Sequence, residues 1–472
     1  VAKDAVPLVE PPRIPRTAVL SALELGKKKG ALICGQGLTG RAAFKLFSDL
    51  GVQSFRLDER PGQGIFTPPF SKEVLLQFSE AAFVFVSPGV APGGALTAPL
   101  WELGLRSLSE IDLLGEVLSD PLVAVTGTNG KSTTATLIHR MLLESGLSNE
   151  LVGNIGTPFV DLVGAGDFPV KASARNFVAE VSSYQLEYCS EIRPKVAALL
   201  NLAENHLERH GSMERYLQEK LRITKFQTSC DFFVVSADDP LSARMVAETK
   251  AQLVPFGINA RGENYSRIDG TRLELSLLGK SYTFDLKTTK LLGAHNLQNI
   301  AAATAASILA GATELGIIRA ISSFNGLAHR LERVPNILER VILNDSKATT
   351  PHATYSDLLA VKAAFPAKKI TLLLGGQAKQ GSWDRVGQEL YPQVERLIGF
   401  GGDGESIIAS IKAVEPRLES CYFRTLREAT SAALEAGDSL VLFAPGCASF
   451  DEFTGFEARG EAFKRYVAEI VG

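Results

Sequence analysis

The run Leu122-Val-Ala-Val125 reads as a buried strand. It breaks into Thr126-Gly-Thr-Asn-Gly-Lys-Ser-Thr-Thr134, after which the pattern turns to that of an amphipathic helix. A strand, a glycine-bearing turn and a helix in that order make a phosphate cradle. Gly127 and Gly130 let the backbone pass close to an anion, while the helix start aims N–H groups and its positive dipole end at it. Thr128 and Asn129 complete the turn, Lys131 supplies a point charge, and Ser132 or Thr133 offers a hydroxyl to Mg²⁺. The ligand this implies is ATP. The strict phosphate-loop pattern has a glycine at position 125, where this chain has Val125, so the loop is a shortened variant. No Asn-Lys-x-Asp tetrapeptide occurs, which argues against a guanine nucleotide. The alternative is a strand-to-helix turn that holds no nucleotide.

At 472 residues the chain exceeds what one core supports and suggests about three domains. Hydrophobic residues make up 45% and charged residues 21%, the proportions of a soluble globular enzyme. A formal charge of −3 advertises neither nucleic acid nor an anionic membrane as a partner. Five scattered cysteines without a CxxC pair imply a reducing compartment and no thiolate metal site. No run approaches the roughly 18 apolar residues of a membrane span. A cytoplasmic location is expected.

Three α/β units follow one another: 1–112, 113–326 and 327–472. The first opens with Ala31-Leu-Ile-Cys34, the turn Gly35-Gln-Gly37-Leu-Thr-Gly40 and a second strand Ser54-Phe-Arg-Leu57 ending at Asp58, which is the spacing of a dinucleotide fingerprint. The second carries the phosphate loop and the apolar runs 176–180, 195–201 and 231–235, read as buried parallel strands in a mostly parallel sheet. The third repeats the grammar with runs 340–343, 369–374, 396–400 and 439–443. In open α/β sheets ligands gather beyond the C-terminal strand ends. There the second unit places Glu180, then Asn205-His206, then Lys220 one helix later. A carboxylate, an imidazole and a lysine beside a phosphate loop suit a Mg²⁺-triphosphate site. Taken singly, Glu180 also reads as a helix cap, His206 as a surface imidazole and Lys220 as a solvated helix residue.

Four later segments bring these fragments into one order: Gly293-Ala-His-Asn296-Leu-Gln-Asn299, His329-Arg330-Leu-Glu332, Asn344-Asp345-Ser-Lys347-Ala-Thr349, and Ala444-Pro-Gly-Cys-Ala-Ser449 running on through Phe456 to Arg459-Gly460. With them the chain resembles the Mur ligases from Gly35 to Arg459, and the last two segments resemble the member that adds D-glutamate.

The resemblance implies an α/β fold of three domains: an N-terminal Rossmann-like UDP-binding domain, a central P-loop ATPase with a mostly parallel sheet, and a C-terminal Rossmann-like domain that binds the amino acid. It implies ATP-dependent ligation of D-glutamate to UDP-N-acetylmuramoyl-L-alanine by a monomer, through an acyl phosphate, with two Mg²⁺ ions. Leu38, Thr39, Asp58, Arg60 and Gly89 would line the uridine pocket, and Asn154 would touch the muramoyl group. Gly127 to Thr133, Asn296, Asn299, Arg330 and Asp345 would hold ATP. Ser132 or Thr133 and Glu180 would serve one Mg²⁺, and His206 with a carbamylated Lys220 the other. Lys347, Thr349, Lys379, Ser449 and the Phe456 backbone would take the amino acid.

The chain departs from the family pattern at Asn205 and Glu208, where Asp is usual, at Thr350 in place of Asn, and at Gln377 in place of an acid. Asn205 is expected to be a tolerated variation. Cys447 is read as a small buried side chain and not a nucleophile. Two alternatives stand: another amino-acid ligase of the same superfamily, or a regulatory subunit that keeps the cradle without turnover.

Overall fold

The computed structural model describes residues 10–113, 122–162, 176–203, 207–242, 249–335, 340–378, 381–435, 437 and 440–471. Their strands form three sheets. The first is parallel throughout, with β1 (Ala31–Cys34), β2 (Ser54–Leu57), β3 (Ile65–Phe66), β4 (Val84–Val86) and β5 (Ser107–Leu108) in the order β3-β2-β1-β4-β5. Every residue of β1 and β4 is buried, which is why both read as unbroken apolar runs and not as alternation. Phe47 packs edge-on against Phe83 and Phe85, with centroids 5.5 and 5.6 Å apart.

The second sheet holds β6 (Leu122–Thr126), β7 (Asn149–Gly153), β8 (Asn176–Glu180), β9 (Val196–Leu199), β10 (Phe232–Ser236), β11 (Gln252–Gly257), β12 (Tyr265–Asp269), β13 (Arg272–Leu277) and β14 (Lys280–Asp285), ordered β14-β13-β12-β11-β10-β9-β6-β8-β7. From β7 to β12 neighbours run parallel, as the apolar runs imply. The last three strands are an antiparallel meander that the apolar-run reading passes over. Its signal is the alternation in Arg272-Leu-Glu-Leu-Ser-Leu277, where only the leucines are buried. The turn pairing Leu277 with Lys280 places Leu278 at φ 54° and Gly279 at φ 77°, the two positive values of a twist-matched hairpin turn.

The third sheet contains β15 (Glu332–Arg333), β16 (Ile342–Asn344), β17 (Ile370–Gly375), β18 (Val394–Phe400), β19 (Glu419–Phe423) and β20 (Leu440–Phe443), ordered β15-β16-β20-β17-β18-β19. Only β15 is antiparallel to its neighbour.

Packing divides the chain into two compact units, one of residues 1–288 with 298–322 and one of 289–297 with 323–472. The first two sheets fall in one unit because they share a core: Phe47, Phe83 and Phe85 belong to the same buried cluster as Leu122, Phe177 and Leu199. The divisions fall after 288, after 297 inside the helix Ala294–Leu309, and after 322.

Candidate active site

The chain runs from β6 out to β7 on one side and later crosses to β9 on the other, so the crevice beyond the end of β6 lies at a topological switch point. The phosphate loop fills that position. Gly127 has φ 150° and Gly130 φ 82°, and Gly130 caps the helix Lys131–Glu144 without a side chain over its N-terminus. A Cβ added at Gly130 would stand 2.2 Å from Asn299 Oδ1, so only glycine admits this close approach.

The loop is held in shape by the segment after β9. Thr128 N donates to Asn201 O at 2.9 Å. Asn129 N donates to Asn201 Oδ1 at 2.8 Å, and Asn201 Nδ2 returns a bond to Asn129 O at 3.0 Å. Asn201 stands in the sequence segment as a strand end, and its clamping role is set by a contact 72 residues away.

Three side chains converge beneath this loop. Lys131 Nζ donates to the carbonyls of Gly127 at 3.0 Å and Thr128 at 2.9 Å. Lys220, on the helix Met213–Leu221, is 1% exposed, and its Nζ donates to Gly127 O at 2.8 Å. Tyr216, one turn earlier on the same face, places its ring 4.7 Å from that ammonium and its hydroxyl 3.2 Å from Thr128 Oγ1. Burial, then repulsion by Lys131, hold the Lys220 pKa well below the ordinary lysine value, against the pull of Glu180. Glu180 ends β8, paired in register with Val125, and is itself buried. Its Oε1 accepts from Asn154 Nδ2 at 2.7 Å, while its Oε2 meets no hydrogen-bond donor among the described residues.

A buried carboxylate oxygen left without a donor is costly unless a cation or bound ligand satisfies it. Glu180 Oε2, the buried hydroxyls of Ser132 and Thr133 and the uncapped helix start therefore fit a Mg²⁺-nucleotide. The structure thus brings together Gly127 to Thr133, Asn154, Glu180, Lys220 and Asn299. His206 and its neighbour Asn205 lie outside the described residues, as does Lys379.

The first sheet offers a second polar crevice at its own switch point, beyond β1. Asp58 Oδ2 accepts Gln36 N at 2.7 Å, and its Oδ1 accepts Arg60 N at 2.9 Å. Burial alone would raise this carboxyl; the two backbone donors and Arg60 outweigh it and lower the pKa. Leu38 is 76% exposed at the start of the helix Leu38–Asp49, with Thr39 beside it. Across the crevice, Ser87 Oγ donates to Gly35 O at 3.1 Å, bringing the turn that carries Gly89 against the Gly35 turn.

Arg209, to which the sequence reading gave no role, fastens that turn to the central sheet's loops. Its guanidinium donates to the carbonyls of Pro88, Gly89 and Val90 at 3.1, 3.2 and 2.7 Å and to Glu187 Oε2 at 2.6 Å. It also lies 4.5 Å from the Tyr184 ring. Lys at this position keeps the charge but lacks the planar fork that reaches several carbonyls at once. For a substrate bound in the first sheet's crevice, Arg209→Lys is expected to raise the KM by about tenfold, in line with about 1.4 kcal/mol of lost positioning. Steady-state kinetics with that substrate varied provides the check, and an unchanged KM contradicts the fastening role.

In the second compact unit Asp345 follows β16 and is buried, accepting Ala348 N at 2.9 Å and Leu331 N at 3.0 Å. The Lys347 ammonium sits 3.9 Å above the Phe456 ring. Phe456 is the first residue of the helix Phe456–Val471, so its N–H has no intrahelical acceptor. Ser449 is buried, Thr349 half-buried, and Asn296 Nδ2 donates to Leu292 O at 2.8 Å. Thr350, where Asn is usual, accepts from Ala353 N and caps the helix Pro351–Ala364, so the substitution keeps the capping function. Gln377, where an acid is usual, exchanges backbone hydrogen bonds with Ala448 at 2.9 Å. Cys447 is fully buried, as expected of a packing side chain.

Arg459 is also fully buried. It donates to Ser346 Oγ at 3.0 Å, Ser346 O at 2.9 Å and Ala448 O at 3.2 Å, and burial draws its pKa down to about 10. One cation thereby ties the segment of Asp345 and Lys347 to that of Ser449.

Residues 125–307 match the family described as Mur ligase middle domain, and residues 329–447 the one described as Mur ligase, glutamate ligase domain. A protein of Trichlorobacter lovleyi named UDP-N-acetylmuramoylalanine--D-glutamate ligase is 38% identical over 93% of this chain and 98% of its own length. The chain belongs to the Mur ligase family. Similarly named Mur ligases of Halalkalibacterium halodurans and Thermoanaerobacter pseudethanolicus are 33% and 31% identical, each over at least 92% of this chain and 96% of their own length. Solved Mur ligase structures share the fold at lower identity. UDP-N-acetylmuramate-alanine ligase of Thermotoga maritima superposes with a TM-score of 0.59 at 18% identity, covering 93% of this chain and 99% of its own. MurF of Acinetobacter baumannii gives 0.58 at 15%, covering 97% and 100%.

Proposed function

We propose that this Mur ligase adds D-glutamate to UDP-N-acetylmuramoyl-L-alanine at the expense of ATP, in the cytoplasmic synthesis of peptidoglycan precursors. The observation that carries the reaction class is the meeting of the Gly127–Lys131 loop, the unsatisfied Glu180 oxygen and the buried Lys220 amine at one strand end. The choice of D-glutamate rests on the names of the relatives that match along nearly the whole chain. The meeting of these three groups favours turnover over a merely regulatory nucleotide site.

A carboxylate does not form an amide at neutral pH, because oxide is a poor leaving group; phosphorylation makes the departing group phosphate. Lys131, fixed at the loop by two carbonyls, stabilises the negative oxygens that crowd together as the γ-phosphoryl moves to the L-alanyl carboxylate. The start of the helix Lys131–Glu144 holds the flanking phosphates. Ser132 or Thr133 and Glu180 would hold a Mg²⁺, which would supply further charge compensation. Asn154, bonded to Glu180, orients that carboxylate, and it would contact the muramoyl group.

The depressed pKa of Lys220 leaves its amine neutral more often than a surface lysine's, and only a neutral amine adds CO₂. This supports a carbamylated Lys220 that, with His206, would hold a second Mg²⁺. Asn296, Asn299, Arg330 and Asp345 would hold the nucleotide, and Leu38, Thr39, Asp58, Arg60 and Gly89 the uridine diphosphate. No described helix is long and apolar enough to cross a membrane. The enzyme is proposed to act as a monomer.

The amino-acid pocket falls to Lys347, Thr349, Lys379, Ser449 and the Phe456 N–H, since a dicarboxylate needs two separated anion sites. Ser449→Ala and Lys347→Ala are each expected to raise the D-glutamate KM by about tenfold or more while leaving the UDP-substrate KM in place. The reverse pattern would move the amino-acid site elsewhere. The function as a whole is tested by phosphate release with ATP, UDP-N-acetylmuramoyl-L-alanine and a panel of amino acids. Release should require all three substrates and peak with D-glutamate; release with L-lysine or diaminopimelate instead would assign the chain to another branch of the family.

A further inference from the structure

In the third sheet β17 lies between β20 and β18, and all three run parallel, so their loops leave the same end of the sheet. The chain after β17 leads to Lys379 and the loop after β20 carries Ser449, both assigned above to the amino acid. The third connection, Gly401-Gly-Asp403-Gly404 between β18 and the helix Gly404–Val414, carries none of the residues assigned to a substrate.

Each pair of these loops is nevertheless hydrogen-bonded. Gln377 and Ala448 exchange backbone bonds at 2.9 Å, and Asp403 N donates to Gly376 O at 3.0 Å. Asp403 Oδ2 accepts Ala378 N at 2.7 Å, and Ala378 directly precedes Lys379 in the chain. Asp451, close after Ser449, accepts Gly402 N on its Oδ2 at 3.0 Å. The backbones approach too closely for side chains. A Cβ added at Gly401, where φ is 70°, would stand 2.5 Å from Asp451 Oδ2, and one at Gly376, where φ is 116°, would stand 2.5 Å from Ala448 O.

We propose that Asp403 and Asp451 are positioning residues of the amino-acid site: from the shared turn Gly401–Gly404, one carboxylate holds the loop leading to Lys379 and the other the loop bearing Ser449, and together they set the spacing of the two anion sites. The inference rests on the reading of Lys379 and Ser449 as amino-acid contacts. A dicarboxylate is recognised by the distance between its charges, and glutamate is longer than aspartate by one methylene. Groups carried on two loops keep such a distance only when something rigid fixes both loops. A carboxylate accepting a backbone N–H makes a stronger bond than a neutral acceptor does. Both bonds are solvent-exposed, while β17 and β20 are buried along their whole length, so losing either carboxylate loosens a loop without opening the sheet.

The test uses the full chain with Asp403→Ala and Asp451→Ala, beside Asp403→Asn and Asp451→Asn, whose amide oxygen still accepts the same N–H. Each Ala variant should raise the D-glutamate KM by about fivefold to tenfold and narrow the kcat/KM preference for D-glutamate over D-aspartate. The KM values for ATP and the UDP substrate should stay in place, and the Asn variants should recover most of the loss. General damage to the fold would instead lower kcat and weaken all three substrates together, leaving the preference between the two amino acids unchanged. That pattern, or an unchanged D-glutamate KM in both Ala variants, would overturn the proposal.

Amide hydrogen exchange reads the anchors without turnover. Asp451→Ala should speed exchange at Gly402 and Asp403→Ala at Ala378; unchanged exchange at both amides contradicts the anchoring. Ser449→Ala separates the proposal from the reading beneath it. An unchanged D-glutamate KM in that variant moves the amino-acid site elsewhere and takes the proposal with it. A raised KM in Ser449→Ala alone, with Asp403→Ala and Asp451→Ala like the parent, keeps the site and removes the positioning role.

Discussion

Phosphate release falls by about 10³-fold or more when Lys131 is replaced by Met, with the fold preserved. The side chain is a flexible cation at the start of the helix, anchored on the phosphate loop through the Gly127 and Thr128 carbonyls, and its charge acts where negative charge develops during transfer. The core beneath does not depend on it, since β6 and the helix Lys131–Glu144 are packed through Val123, Val125, Leu137, Ile138 and Met141, all at most 2% exposed. Single-turnover phosphate release together with a thermal melt separates the two effects. Release at near the parent rate from a folded variant removes Lys131 from the chemistry.

Lys220→Ala should cost a comparable factor, for a different reason. A carbamate presents two oxygens where the amine presents a cation, so a small carboxylate such as acetate, diffusing into the space vacated at residue 220, should restore part of the activity. Lys220→Met tests the burial argument separately. A lysine whose folded pKa is depressed opposes folding most where the unfolded chain would be protonated, that is, below about pH 10.4. The Met variant should therefore gain thermal stability over the parent at pH 6, with the gain shrinking as pH rises toward 10. Loss of activity without rescue, and no pH-dependent gain, would leave Lys220 as a loop support bonded to the Gly127 carbonyl.

What the sequence discloses and what it hides follow from the range of the interactions involved. The phosphate loop is legible because its glycines, lysine and hydroxyls are adjacent in the chain, and the parallel strands because burial on both faces leaves continuous apolar runs. Glu180 and Lys220 are legible as strand-end and helix residues, yet the approach of Lys220 to Gly127 and to the Glu180 charge depends on strand order, which no local pattern encodes. Arg209, Asn201 and Arg459 escape for the same reason: Arg459 reaches Ser346 across 113 residues, and Arg209 reaches Gly89 across 120. The meander at 265–285 is of another kind. Its alternating leucines are a local signal, lost because the surrounding sheet is read through continuous runs.

The central claim is that a carboxylate oxygen leaves on phosphate as D-glutamate is joined. It is tested most directly with UDP-N-acetylmuramoyl-L-alanine labelled with ¹⁸O in its terminal carboxylate, with ATP, Mg²⁺ and either enantiomer of glutamate, the released phosphate being weighed by mass spectrometry. With D-glutamate each phosphate should carry a single ¹⁸O, delivered from the carboxylate through the acyl phosphate, and with L-glutamate little labelled phosphate should form. Unlabelled phosphate accompanying amide formation, or equal labelling with both enantiomers, would contradict the account.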